Sequence, residues 1–222
     1  MDKEAPIGVF DSGVGGLTVV REIIRQLPNE NVVYFGDTAR VPYGNKSKNI
    51  VIDYSRQIIH FLKTKKVKAI VIACNTASAY ALDTVAPETD IPVMGVVLPG
   101  AKAAAQATVN GHIGILGTIG TVNSGIYTEV LHKYNQDFKV VGKACPLFVP
   151  LVEEGMLEDP VTDEMASRYI RPLIASGVDT LVLGCTHYPL IRSTIRKIAG
   201  EHVQLVNPAY ETAVSLRELL KE

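Results

Sequence analysis

The sequence predicts an α/β protein built from two similar domains. Each domain is a mostly parallel sheet flanked by helices, the two are related by a pseudo-twofold axis, and the active site lies in the cleft between them. Two observations carry this expectation. Short apolar runs alternate with helix-length amphipathic segments, the pattern of βα units. The chain also repeats itself: IGVFDSGVGG at Ile7 returns as IGILGTIGTV at Ile113, 106 residues on, and IVIACNTA at Ile70 returns as LVLGCTHY at Leu181, 111 residues on. A repeat of that length indicates duplicated domains rather than a solenoid, whose period runs to roughly 20–50 residues.

The elements follow in order. Ile7 to Phe10 reads as a strand leading through a glycine-rich turn into a helix from about Leu17 to Gln26, and Val32 to Phe35 as the next strand. Ile50 to Lys63 is amphipathic and helical, Ala69 to Ala73 a buried strand, Ala77 to Val85 a helix and Val93 to Val96 a strand. The second set starts with a helix near Ala101 to Thr108 and a strand at Ile113 to Leu116. Helices are expected at Asn123–Tyr134, Asp163–Ile174, Pro189–Ala199 and Ala209–Leu220, and strands at Lys139–Val141, Thr180–Leu183 and Val203–Val206.

Composition narrows the function classes. Of 222 residues, 47 % are hydrophobic and 20 % charged, too apolar for a disordered chain and ordinary for a globular one. A net charge of −1 gives no basic footprint for nucleic acid or an anionic membrane. The longest strongly apolar stretch, Ala69 to Cys74, falls far short of the roughly 18 residues a membrane span needs. MDKEAPI at the N-terminus mixes charges and runs into a strand, so no secretory signal is expected. The 3 cysteines form neither a disulfide framework nor a CxxC metal box, which suits a cytoplasmic protein with reduced thiols.

Cys74 and Cys185 carry the chemistry. A lone cysteine is usually a small buried hydrophobe, and Cys145, before Pro146, is read that way. Cys74 and Cys185, however, occupy the same position in the repeat, at strand ends and before small polar residues. In open parallel sheets the ligand crevice lies outside the carboxyl ends of the strands, so both thiols are expected to face one crevice from opposite sides. A hydrolase needs one nucleophile and a base. Inverting a carbon centre instead needs a base on each face, and a thiol that titrates near about 8.5 can serve in either protonation state. Asp11, at the end of the first strand, and His187, two positions after Cys185, are candidate helpers. The ordinary alternatives are a helix cap for Asp11 and a core histidine for His187.

Asp11 to Val19 (DSGVGGLTV) is neither a dinucleotide fingerprint nor a P-loop, since Thr18 stands where a third glycine belongs and no Gly-Lys-Ser/Thr follows. It reads as a tight strand-to-helix turn exposing N–H groups that can hold a carboxylate. GTIGT at Gly117 offers the same in the second half.

Taken together, DSGVGG (Asp11), GDTARVPYG (Gly36), ACNTA (Ala73), ACP (Ala144), VPLVEEG (Val149) and GCTHYPL (Gly184) resemble the glutamate racemase family. The match runs in order to about residue 213. The resemblance implies that L- and D-glutamate are interconverted for peptidoglycan synthesis without pyridoxal phosphate or another cofactor. It implies Cys74 and Cys185 as acid/bases, assisted by Asp11 and His187. Substrate binding is implied for Asp11, Ser12, Tyr43, Gly44, Asn75, Thr76, Thr118, Thr121, Glu153, Thr186 and His187, with no metal. It implies a homodimer and domain limits near Val97 and Asn207: 1–97 with 208–222, and 98–207. Family members usually carry a further C-terminal stretch, so the first domain's C-terminal part is expected to be incomplete relative to them. Aspartate racemase or another cysteine-pair isomerase, a Cys185–His187 hydrolase, and a two-lobed dicarboxylate-binding module are the alternatives.

Overall fold

The computed structural model describes residues 4–221; Met1 to Lys3, part of the segment read above as lacking a signal, and Glu222 lie outside the described residues. Two four-stranded parallel sheets form two lobes. In the first lobe β1 (Ile7–Asp11), β2 (Val32–Gly36), β3 (Ala69–Ile72) and β4 (Val93–Gly95) lie in the order β2-β1-β3-β4. In the second, β5 (His112–Gly117), β6 (Lys139–Ala144), β7 (Thr180–Gly184) and β8 (Gln204–Val206) lie in the order β6-β5-β7-β8. The duplication holds at the level of single residues. Ile7 pairs with Val32 and Ala69, and its counterpart Ile113 pairs with Val140 and Thr180. The central strands β1, β3 and β7 are buried along their whole length, and β5 from Ile113 onward, as apolar runs covered on both faces require.

In each sheet the chain moves outward one way from the first strand and the other way from its neighbour. The reversal falls between β1 and β3 and again between β5 and β7, and such switch points open a crevice at the carboxyl ends of the strands.

Ten helices cover the sheets in the described residues. They are α1 (Leu17–Gln26), α2 (Lys48–Thr64), α3 (Asn75–Val85), α4 (Val97–Ala107), α5 (Ile119–Asn123), α6 (Ile126–Tyr134), α7 (Phe148–Glu153), α8 (Pro160–Ala175), α9 (Arg192–Ala199) and α10 (Pro208–Leu219). Ala209, Ala213 and Leu216 of α10 pack with Ile7, Val9 and Val71 of the first sheet, so the chain's last helix covers the first lobe. Val97, Ala101 and Ala104 of α4 pack with Ile113, Ile115 and Val182 of the second. Each fully buried aliphatic side chain contributes about 1.5–3 kcal/mol of transfer free energy.

Several helices depart from the expected bounds for identifiable reasons. The helix expected over Asn123–Tyr134 starts only at Ile126, because Gly125 takes a left-handed conformation (φ 69°) that separates it from the short α5 upstream. Caps lie upstream of the apolar periodicity: Ser47 accepts from the Ile50 N–H and Asp159 from the Val161 N–H, so α2 and α8 start early. Cys74 caps α3, which begins at Asn75 rather than Ala77. α4 begins at Val97 and carries Pro99 in its first turn, where no N–H partner is needed. A 3-10 turn, Tyr188–Ile191, precedes α9 where one helix was expected. Among the described residues, no helix is long and apolar enough to cross a membrane.

Candidate active site

β1 and β3 end side by side at the first switch point, which sets Asp11 and the residues after Ile72 against each other. β5 and β7 do the same for Gly117 and the residues after Gly184. Cys74 and Cys185 therefore face the space between the lobes, and both line one cavity of about 210 Å³. Ser12, Tyr43, Gly44, Asn75, Thr76, Thr118, Glu153, Thr186 and His187 line it too. Asp11 and Thr121 stand one layer behind. Asp11 is fully buried, and Thr121 reaches the wall through its hydroxyl contacts with Thr76 (3.2 Å) and Thr118 (3.1 Å). The lining residues include no lysine or arginine, so an anionic ligand is met by N–H and hydroxyl dipoles rather than full positive charges.

The Cys74 half rests on the start of α3. Its sulfur accepts from the Ala77 N–H at 3.4 Å, and its thiol lies 3.8 Å from the Ser12 hydroxyl. Burial, and after it the neighbouring Asp11, push the thiol up to about 12. The Ala77 N–H and the helix N-terminus work in the opposite direction. Behind it, Asp11 Oδ2 accepts from the N–H groups of Gly16 (2.9 Å) and Gly13 (3.2 Å). The glycine turn was expected to offer these N–H groups to a ligand carboxylate, but the protein's own Asp11 occupies them. Asp11 Oδ1 is buried with no hydrogen-bond partner among the described residues, and burial raises the Asp11 pKa above the ordinary carboxylate range.

The Cys185 half is built differently. His187 Nε2 faces Glu153 Oε1 at 3.0 Å, at the end of α7. A carboxylate accepts only, so Nε2 carries the hydrogen. In the neutral imidazole Nδ1 is then an acceptor, and it lies 3.9 Å from the Cys185 sulfur and 3.4 Å from the Thr186 hydroxyl. This tautomer lets the imidazole receive a thiol proton while the carboxylate steadies it. Burial also holds the Cys185 thiol well above its ordinary value, with the backbone N–H of His187 acting against it. With both thiols pushed upward, the ligand-free site favours the neutral form of each.

The lobes touch closely around this cavity. Thr18 donates to the Thr186 carbonyl at 2.8 Å, and Thr76 and Thr118 hydroxyls meet at 2.9 Å. A Cβ on Gly15 would come within 2.5 Å of the His187 ring and of Thr186 Oγ1, so only glycine permits this approach. Tyr43 is buried, and its hydroxyl donates to Asp37, itself paired with Arg40. With that hydroxyl engaged, the Tyr43–Gly44 backbone is what remains for a ligand.

Sequence reasoning missed Val41, Pro42, Ile119, Val149 and Pro150, which give the cavity its apolar walls. Nothing in a single sequence separates such side chains from core residues. Cys145 is fully buried among Phe148 and Tyr188, and its thiol donates to the Lys143 carbonyl at 3.4 Å. Among the described residues, no group of three or more His, Cys, Asp or Glu side chains could hold a metal ion.

Residues 7–216 match the family described as Asp/Glu/Hydantoin racemase. A glutamate racemase of Geobacter metallireducens is 52 % identical over 215 residues, covering 97 % of this chain and 80 % of that protein. Among solved structures, a glutamate racemase isoform from Bacillus anthracis superposes with a TM-score of 0.96 at 44 % identity, over 99 % of this chain and 82 % of that one. A glutamate racemase from Francisella tularensis, crystallised in complex with D-glutamate, superposes with a TM-score of 0.92 at 40 % identity, over 99 % of this chain and 82 % of that one.

Proposed function

This chain belongs to the Asp/Glu/Hydantoin racemase family, and from that premise we propose that it is a glutamate racemase working by a two-base thiol mechanism. The observation that carries the reading is that Cys74 and Cys185, delivered by different lobes, line a single cavity. Glutamate enters with its Cα between the two sulfurs. The thiolate on one face takes the Cα proton, and the thiol on the other face delivers its own proton to the opposite side, inverting the centre. The roles exchange for the other enantiomer. Asp11 serves the Cys74 thiol and His187, braced by Glu153, serves Cys185. The substrate ammonium, entering near buried Asp11, offsets the burial that keeps the thiols neutral.

Hydroxyl and N–H donors from Ser12, Tyr43, Gly44, Asn75, Thr76, Thr118 and Thr186 hold the two carboxylates, with Thr121 orienting the Thr76 and Thr118 hydroxyls from behind. Such preorganised donors, in a site that excludes water, stabilise the carbanion-like species by several kcal/mol each on general grounds. No cofactor takes part in this scheme. We also propose that the D-glutamate formed serves peptidoglycan synthesis in the cytoplasm and that the enzyme acts as a homodimer. The chain divides into domains at 1–97 with 208–222, and 98–207; the packing of α10 on the first sheet supports that division.

Incubation of the purified protein with L-glutamate or L-aspartate in heavy water tests the reading. Deuterium should enter Cα of glutamate as its optical rotation decays, with aspartate unchanged. Exchange of aspartate instead would move the substrate to the shorter dicarboxylate, and tight binding without exchange would reduce the protein to a binding module.

A further inference from the structure

The Tyr127 hydroxyl, on α6 of the second lobe, donates across the interface to Asn75 Oδ1 at 2.7 Å, and both side chains are buried. Asn75 is the first residue of α3, directly after Cys74, and lines the cavity. A side-chain amide has two orientations related by a half-turn, and its partners decide between oxygen and nitrogen at a given point. A phenol this deeply buried must place its proton on an acceptor, and the amide oxygen is the acceptor beside it. No hydrogen bond within the described residues engages the amide nitrogen. Tyr127 does not itself line the cavity. Its ring packs with Ile113, Val130 and Leu131 in an apolar cluster, where a phenylalanine would fill the same space.

We propose that Tyr127 is a positioning residue for the racemisation: its bond across the lobes locks the Asn75 amide with its nitrogen toward the cavity, where it donates to a substrate carboxylate. The proposal rests on the reading of the site as a glutamate racemase. A helix of the second lobe thereby sets a donor in the Cys74 half, so that donor is correctly aimed only while the lobes are apposed.

A double-mutant cycle tests it. Tyr127→Phe keeps the ring and its packing while releasing the amide. Its kcat/KM for glutamate should fall roughly tenfold, mainly through a higher KM. In an Asn75→Ala background the same substitution should cost less than about twofold, because the group it positions is gone. A purely structural role would instead give the same penalty in both backgrounds. That additive outcome, a Tyr127→Phe variant with unchanged KM, or one that fails to fold in a thermal melt would each overturn the proposal. The unsubstituted protein's own deuterium exchange is measured in the same series. If it is absent, the glutamate racemase reading falls. If it is present and the cycle is additive, only the role of Tyr127 falls.

Discussion

Cys74 follows β3 in the first lobe as Cys185 follows β7 in the second, and matching registers place both: Ile7 lies beside Ala69 as Ile113 lies beside Thr180. Their helpers do not match. Asp11 ends β1 opposite Gly36, and the residue in its place at the end of β5, opposite Ala144, is Gly117. His187 stands two positions after Cys185, where the first lobe has Thr76. One thiol has behind it a buried carboxylate held by two backbone N–H groups through Oδ2 alone, and the other has an imidazole backed by Glu153. Duplication preserved where a sulfur is delivered but not what assists it. Burial is the largest influence on both thiols, so each helper is needed to accept its thiol's proton when substrate arrives.

The largest effect expected is loss of either sulfur. Cys74→Ala and Cys185→Ala should each lower racemisation by about 10³-fold or more, read as optical rotation of glutamate. A Cys74→Ala protein that still turned over would break the equivalence of the halves and favour a Cys185–His187 hydrolase. Removing one helper should come next: Asp11→Asn and His187→Asn are each expected to lower kcat/KM by roughly 100-fold. Because the two enantiomers are equal in energy, kcat/KM must fall equally in both directions. The kcat values need not, and the two variants should slow opposite directions more. The same bias in both variants would dissolve the assignment of one helper to each thiol.

Glu153→Gln should cost only about tenfold, since this partly exposed carboxylate reaches Cys185 solely through His187. The smallest effect is on stability at high pH. The Cys74 thiol titrates from about 12 in the folded protein against a reference of 9.0, so the native state holds its proton more tightly. Its contribution is complete below pH 9 and is lost as pH rises towards 12. Thermal midpoints across that range should fall less steeply for Cys74→Ser, whose hydroxyl does not titrate there. An identical fall would show that the thiol is not shielded as its burial implies.

Much of the fold was legible because its central strands are covered on both faces and read as unbroken aliphatic runs such as Ala69 to Ile72. Helix starts were less so, because caps such as Asp159 and Ser47 precede the periodic residues. α7 was missed because it is six residues long and contains Pro150, too short for any periodicity to show. Within the site, the repeated cysteines stood out by position alone, whereas Glu153 was reached only through the family resemblance.

Repetition along the chain was enough to place two thiols at equivalent strand ends, because strand order and burial follow from local patterns of apolar residues. Which groups surround those thiols was settled only by the tertiary structure. Within each lobe it engages Asp11 Oδ2 with the turn's own N–H groups and turns Nδ1 of His187 toward Cys185, and the meeting of the lobes brings the Tyr127 hydroxyl to an amide 52 residues earlier in the chain. Hydrogen bonds of this kind depend on distance and angle in space, and no periodicity along a sequence encodes either.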